Sequence, residues 1–209
     1  MKFRKLVTLL TGTLLVTGLL AAPALATSNP PYQPTRTVVV HFGAGLSAGS
    51  VWYNAMVDQT NYLNSIGGKP LKIVLGSCQP NFACVDVTAD HYGQSWIGWW
   101  APGPSCNYSG TAWSSTDFHF HCVWDSVNQY KGNIYFDTTD VLTQTERRIV
   151  ACHELGHMAG LGHSGGNYCM QATVDSTPTS TSTTYSPDDQ LTMYDIYVNH
   201  MIPNCCPQP

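Results

Sequence analysis

His153, His157 and His163, with Glu154 beside the first, have the types and spacing for metal-assisted chemistry. They belong to the run His153-Glu154-Leu155-Gly156-His157-Met158-Ala159-Gly160-Leu161-Gly162-His163. On a helix each residue advances about 100° and 1.5 Å. His157 then stands one turn beyond His153 on nearly the same face, and two imidazoles can grip one ion. Glu154 points only about 60° away from His157, so its carboxylate can reach a water on the metal without displacing a ligand. Gly160 can end the helix, because glycine takes the left-handed conformation without a Cβ penalty. The reversed chain can then return His163 as a third ligand. Three protein ligands and one open position describe a catalytic zinc rather than a structural one. A Glu-flanked histidine pair alone occurs by chance; the full run is far more specific.

On these residues the chain resembles the metzincin metalloproteases, and within them the matrixin-like branch. Ser164 directly after the third histidine fits that pattern, and so does Met170, seven residues past His163. Metzincins carry a methionine turn there, its side chain beneath the zinc. The sequence departs from the pattern at Ala172, where matrixins usually have proline and astacin-like members a catalytic tyrosine. The resemblance implies one catalytic Zn2+ on His153, His157 and His163, a structural role for Met170, and a zinc endopeptidase. Glu154 is the implied general base, taking a proton from a metal-activated water and passing it to the leaving amine. The implied fold is α+β: a zincin-like catalytic domain with a twisted mixed sheet, an active-site helix and a small C-terminal subdomain ending in a helix. Calcium is known in the family, but no acidic loop declares it here. The rival reading, from another class, is a secreted zinc-containing binding protein with little or no proteolytic activity. Retention of Glu154 counts against it.

The remaining sequence says where these residues operate. Lys2, Arg4 and Lys5 precede an apolar stretch from Leu6 to Leu20 and a small-residue cleavage site at Ala24-Leu25-Ala26. Residues 1–26 read as a secretory signal peptide, residues 27–36 as a flexible mature N-terminus, and residues 37–209 as one catalytic domain. The protein is expected outside the cell, as a monomer, free of the membrane once the signal is cut. Cleavage leaves 6 Lys and Arg against 13 acidic residues, a net charge of −7. That balance argues against nucleic acid or an anionic membrane surface as a partner, and the resemblance implies a protein or peptide substrate. No stretch between Ala26 and the first strand is long enough for a folded pro-domain, and this points to a bacterial secreted type.

Eight cysteines, all in the mature part, imply disulfides in an exported chain. They allow 105 pairings. If the methionine turn lies under the metal helix, as the resemblance implies, Cys152 and Cys169 come together. Cys78–Cys84 and Cys106–Cys122 are candidate local bridges; Cys205 and Cys206 stay open.

Several elements must position the site. Thr37–Phe42 is β-branched and reads as a strand. Ser50–Ile66 carries Trp52, Met56, Leu63 and Ile66 at helical spacing and stops at Gly67-Gly68. Residues 71–75, 85–89, 118–124 and 132–137 read as strands. His119 and His121 lie on one face of the third of these, where Asp117 or Asp125 can join them at a second ion; metal-free surface histidines are the plainer reading. Trp96, Trp99 and Trp100 are either core packing or, by the resemblance, an aromatic wall on the edge strand that receives substrate. Asn107-Tyr108-Ser109 matches a glycosylation acceptor. Thr143-x-x-Glu146 is a capping box that starts the metal helix. Ser186-Pro187-Asp188-Asp189 starts a last helix, with Leu191, Tyr194 and Tyr197 or Val198 as its inward stripe.

Overall fold

The computed structural model describes residues 36–78, 83–101, 130–171 and 182–199. Its elements run β1 (Thr37–Phe42), α1 (Val51–Ser65), β2 (Lys72–Leu75), β3 (Ala83–Asp90), β4 (Gly98–Ala101), β5 (Tyr130–Asp137), α2 (Gln144–Met158) and α3 (Pro187–Tyr194). A π-helical turn, Asp195–Asn199, continues α3. The five strands form one mixed sheet in the order β2-β1-β3-β5-β4. Four are parallel, and only β4, at the edge beyond β5, runs antiparallel. The architecture is α+β, as expected of a metzincin catalytic domain.

Alternation along the strands gives the sheet two different faces. Val38 and Val40 on β1, Val85 and Val87 on β3, and Ile134 and Phe136 on β5 are buried in the core with both long helices. Trp52 of α1 stacks on Phe136 at 4.2 Å. The other face carries His41, Asp86, Thr88, Asn133 and Tyr135, all partly exposed. Helix α1 opens on Ser50, whose hydroxyl accepts from the Tyr53 amide, and its inward stripe is the expected one. Gly68 follows at φ 77°, and the Tyr194 ring lies where its side chain would stand. A Cβ there would come 2.7 Å from the Tyr194 ring.

Helix α3 is phased differently from the expectation. Leu191 is 66% exposed and Tyr194 38%, whereas Asp189, Met193 and Ile196 are buried; of the expected stripe only Tyr197 is buried, in the π-helical turn. The cause is the cap. Asp189 accepts from the Ser186 amide at 2.9 Å, and its own amide donates to the Ser186 hydroxyl at 3.0 Å. An inward aspartate at this position sets positions four and seven further on as the buried ones.

The signal segment, the glycosylation motif, residues 117–125 with His119 and His121, and Cys106, Cys122, Cys205 and Cys206 lie outside the described residues. Among the described residues, no helix is long and apolar enough to cross a membrane.

Candidate metal centre and active site

Helix α2 is built to hold its histidines rigidly. Thr143 and Glu146 close a full capping box at its start. Ile149, Val150, Cys152 and Leu155 anchor it in the core. It ends as the glycine requires: Gly160 sits at φ 91°, the Gly160 amide donates to the His157 carbonyl and the Leu161 amide to the Gly156 carbonyl. This pair of bonds is the Schellman motif, and it sends the chain back toward the helix with His163 on it.

The three imidazoles converge. The ring centroids of His153 and His157 are 4.5 Å apart, and His163 is 5.0 Å from each. One ligand nitrogen from each lies within 4.8 Å of the others. The Nδ1–H of His153 donates to the Cys169 carbonyl at 2.8 Å, and that of His157 to the Leu161 carbonyl at 2.8 Å. A carbonyl only accepts, so both Nδ1 atoms carry the proton and both Nε2 atoms are lone-pair acceptors. Those two Nε2 atoms face each other at 2.9 Å. Two lone pairs so placed need a cation between or beside them. On a tetrahedral zinc they would be about 3.3 Å apart, a small widening. The donor set therefore fits zinc.

Burial keeps these ligands in the binding form. It pushes His153 down to about 3, with the charges of His157 and His163 adding to the effect. It likewise pushes His157 down to about 4. Both rings are neutral at neutral pH, as metal ligation demands.

Glu154 is buried, and burial raises its carboxyl to about 8. Its carboxylate accepts from the backbone N–H of Trp100, which opposes the shift. Oε2 has no partner among the described residues. The carboxyl lies against edge strand β4: a Cβ on Gly98 would come 2.7 Å from Oε1. The acid is thus presented between the metal helix and β4, the edge strand among the described residues.

The floor of the site is a close-packed stack. Met170 is fully buried. A Cβ on Gly156 would meet its sulfur at 2.1 Å and the Tyr185 ring at 3.0 Å. Cys152 and Cys169, one before the first ligand and one before this methionine, are joined by a disulfide. The Ser164 amide donates to the Met170 carbonyl at 2.9 Å, which places the segment carrying His163 above the methionine. The Ser164 hydroxyl reaches buried Asp189 at 3.3 Å. Tyr185 donates its hydroxyl to the Cys152 carbonyl at 2.7 Å and lies against Tyr62 of α1. Asp189 and Tyr185 escaped the sequence reading as site residues. The Ser-x-x-Asp cap was the only signal for the first, and its depth is a tertiary property.

The three tryptophans do not form one wall. β4 pairs Trp99 with Tyr135 and Trp100 with Ile134. Trp100 is therefore on the helix side, its ring over Gly132. Trp99, 51% exposed, is on the far side of the sheet, where its ring lies 6.0 Å from Trp96, in a cluster that runs on to Tyr92 and Tyr135.

Residues 111–198 match the family model Peptidase_M10: Matrixin. Over that segment the chain is similar to the matrixin branch of the metzincins. No curated protein matches it at a significant level. The matched segment contains the whole histidine run, the methionine turn and all of α3, and the chemistry of the matched family is that of a zinc-dependent peptidase.

Proposed function

We propose that the protein is a secreted zinc endopeptidase with Glu154 as general base. The observation that carries this is the pair of Nε2 atoms of His153 and His157, fixed as acceptors by their carbonyl-bound Nδ1–H groups and aimed at one point beside His163. A zinc ion held by these three imidazoles would supply Lewis acidity toward a scissile carbonyl and a water molecule. The protein residues do the rest. His153, His157 and His163 are the ligands, and Met170 and the Cys152–Cys169 bridge hold the floor beneath them.

Glu154 takes a proton from the attacking water and returns it to the leaving amine. Its environment suits both tasks: burial raises its proton affinity, and the free Oε2 is the acceptor. Among the described strands β4 is the sheet edge beside Glu154, where an extended peptide can add as a strand. Trp100 stands on the correct side of the sheet for this wall, and Trp99 and Trp96 do not line it. Residues 1–26 are the export signal, and the two disulfides suit an oxidising destination. The chain acts as a monomer with Zn2+ as its cofactor; Ca2+ has no support among the described residues.

Glu154→Gln tests the reading. It removes the base but no ligand, so zinc stays near one per chain while kcat on a quenched fluorescent peptide falls by about 10²–10⁴-fold or more. Turnover that survives the substitution removes Glu154 from the mechanism. One zinc per chain in a wild type that cleaves no peptide favours the binding-protein alternative.

A further inference from the structure

The outer face of the sheet holds a second group of metal-type side chains, remote in sequence from the first. His41 on β1 and Asp86 on β3 are direct cross-strand partners. Their side chains meet at 2.8 Å, His41 Nδ1 to Asp86 Oδ1. Cys84 lies two residues before Asp86 on β3 and so points to the same face. It is bridged to Cys78, which follows β2. His41, Cys78 and Asp86 offer ligand atoms all within 4.8 Å of one another. The side chains of His41 and Asp86 are 43% and 32% exposed, which leaves an approach from solvent.

One contact in this group is unfavourable in the oxidised protein. Cys78 Sγ lies 3.5 Å from Asp86 Oδ1, but a bridged sulfur carries no hydrogen to donate. Lone pairs of sulfur and carboxylate therefore face each other. On a tetrahedral zinc a thiolate and a carboxylate oxygen would be about 3.6 Å apart, and an imidazole nitrogen and an oxygen about 3.4 Å. The sulfur–oxygen spacing is already that of a coordinated pair, and the histidine needs to retreat by about 0.6 Å.

We propose that His41, Asp86, Cys78 and Cys84 form a second, thiolate-containing site for a zinc-class divalent cation, closed by the Cys78–Cys84 disulfide and opened by a dithiol reductant. The redox step balances by exchange. The dithiol becomes its cyclic disulfide, Cys78 and Cys84 become thiols, and cation binding releases the thiol protons to solvent. Two sulfurs, one nitrogen and one oxygen then complete four-coordination, as in a closed structural site. The cluster would hold β1, β3 and the end of β2 together before oxidation or after reduction, with the metal in place of the bridge.

The test uses the full-length mature chain loaded with zinc at its histidine centre. Cys84→Ser leaves Cys78 as a single free thiol beside His41 and Asp86, and needs no reductant. Titration with Co(II) is expected to give a thiolate-to-cobalt charge-transfer absorption that saturates at one ion per chain; the His153 centre has no thiolate and stays silent. Adding His41→Ala or Asp86→Asn should weaken that binding by about tenfold or more. No absorption, or absorption unchanged by both substitutions, overturns the proposal. A second measurement needs no cysteine variant: zinc per chain, counted after phosphine reduction and desalting, should rise by one in the wild type and not in His41→Ala. No rise, or an equal rise in both, overturns it as well. Peptide hydrolysis is not part of either readout, so the outcome is independent of the protease reading.

Discussion

The described residues carry two clusters of metal-type side chains with opposite logic. At the end of α2 each of the first two imidazoles spends its Nδ1 on a backbone carbonyl and leaves Nε2 aimed at its neighbour. On the outer face of the sheet His41 spends its Nδ1 on a carboxylate, Asp86, beside a closed disulfide. The first arrangement is built by backbone, runs from buried His153 to exposed His163, and is incomplete without a cation. The second largely satisfies itself while Cys78 and Cys84 stay bridged. Proximity of ligand atoms is the same in both, within 4.8 Å. What separates them is whether the lone pairs already have partners. A resident cofactor site is the one whose protein atoms cannot satisfy each other.

The most severe way to break this contrast is to delete one ligand from each cluster. His153→Ala is expected to abolish stoichiometric zinc and, with it, hydrolysis, because only two of the three imidazole ligands remain. His41→Ala in the oxidised protein is expected to leave zinc at one per chain. Metal analysis of the two variants side by side decides it; equal losses would mean that the clusters are not distinct.

Acidity sharpens the same contrast in the metal-free protein. His153 and His157 have folded values of about 3 and about 4 against an ordinary 6.5. A depressed histidine contributes stability that is present above pH 6.5 and lost as pH falls toward the folded values. Glu154 works in reverse: raised to about 8 from 4.5, it contributes stability present below 4.5 and lost as pH rises through 8. Between 4.5 and 6.5 the unfolded chain holds two more histidine protons and the folded chain one more carboxyl proton, so stability still climbs with pH. Between 6.5 and 8 only the carboxyl counts, and stability falls. The metal-free protein should therefore be most stable near pH 6.5, as read from denaturant midpoints across the range. Zinc should flatten the acid side until protons displace it. A metal-free protein whose stability rises steadily to pH 9 would contradict the burial of Glu154.

Gly156→Ala probes the floor rather than the ligands. Its new methyl would stand 2.1 Å from the Met170 sulfur and 3.0 Å from the Tyr185 ring. Methionine is flexible, but the disulfide beside it and the Tyr185 bond to Cys152 limit where it can go. Overpacking of this kind costs about 1–3 kcal/mol. The expected result is a lower denaturant midpoint together with weaker zinc binding, since Met170 supports the Ser164 segment that carries His163. Unchanged zinc affinity with lowered stability would make the methionine an ordinary core residue.

Much of this was legible in the sequence because local rules and tertiary demands agree there. The capping box at Thr143, the periodicity ending at Gly160 and the strand at Thr37–Phe42 each depend on neighbours a few residues away. The same holds for the ligand run. The pairing of Cys152 with Cys169 came instead from the resemblance, which supplied the methionine turn. What escaped depends on depth and on sheet faces. Asp189 is an exposed-type residue by sequence, yet it is completely buried under Ser164 and sets the phase of α3. Trp99 and Trp100 are neighbours in sequence but stand on opposite faces, and only the pairing of β4 with β5 tells them apart. Tyr185 lies in a stretch with no periodicity, and its partner, the Cys152 carbonyl, is 33 residues away.

Tyr185→Phe is the gentlest of these tests and separates the polar part of the floor from its packing. The phenylalanine keeps the ring against Tyr62 and Gly156 and removes only the hydroxyl. The Cys152 carbonyl loses one donor but, being inside α2, keeps its helical bond from four residues on, so no buried acceptor is orphaned. The loss should thus be that of one ordinary buried hydrogen bond, about 1 kcal/mol, or roughly 2–4 °C in Tm for a chain of this size. Burial holds the Tyr185 phenol well above its usual range, so it donates at every working pH and the deficit should be the same in mild acid and mild base. A deficit that comes with a change in kcat but not in KM would show that the hydroxyl also sets the angle at which α2 presents His153 and Glu154; a purely thermal deficit confines it to the floor.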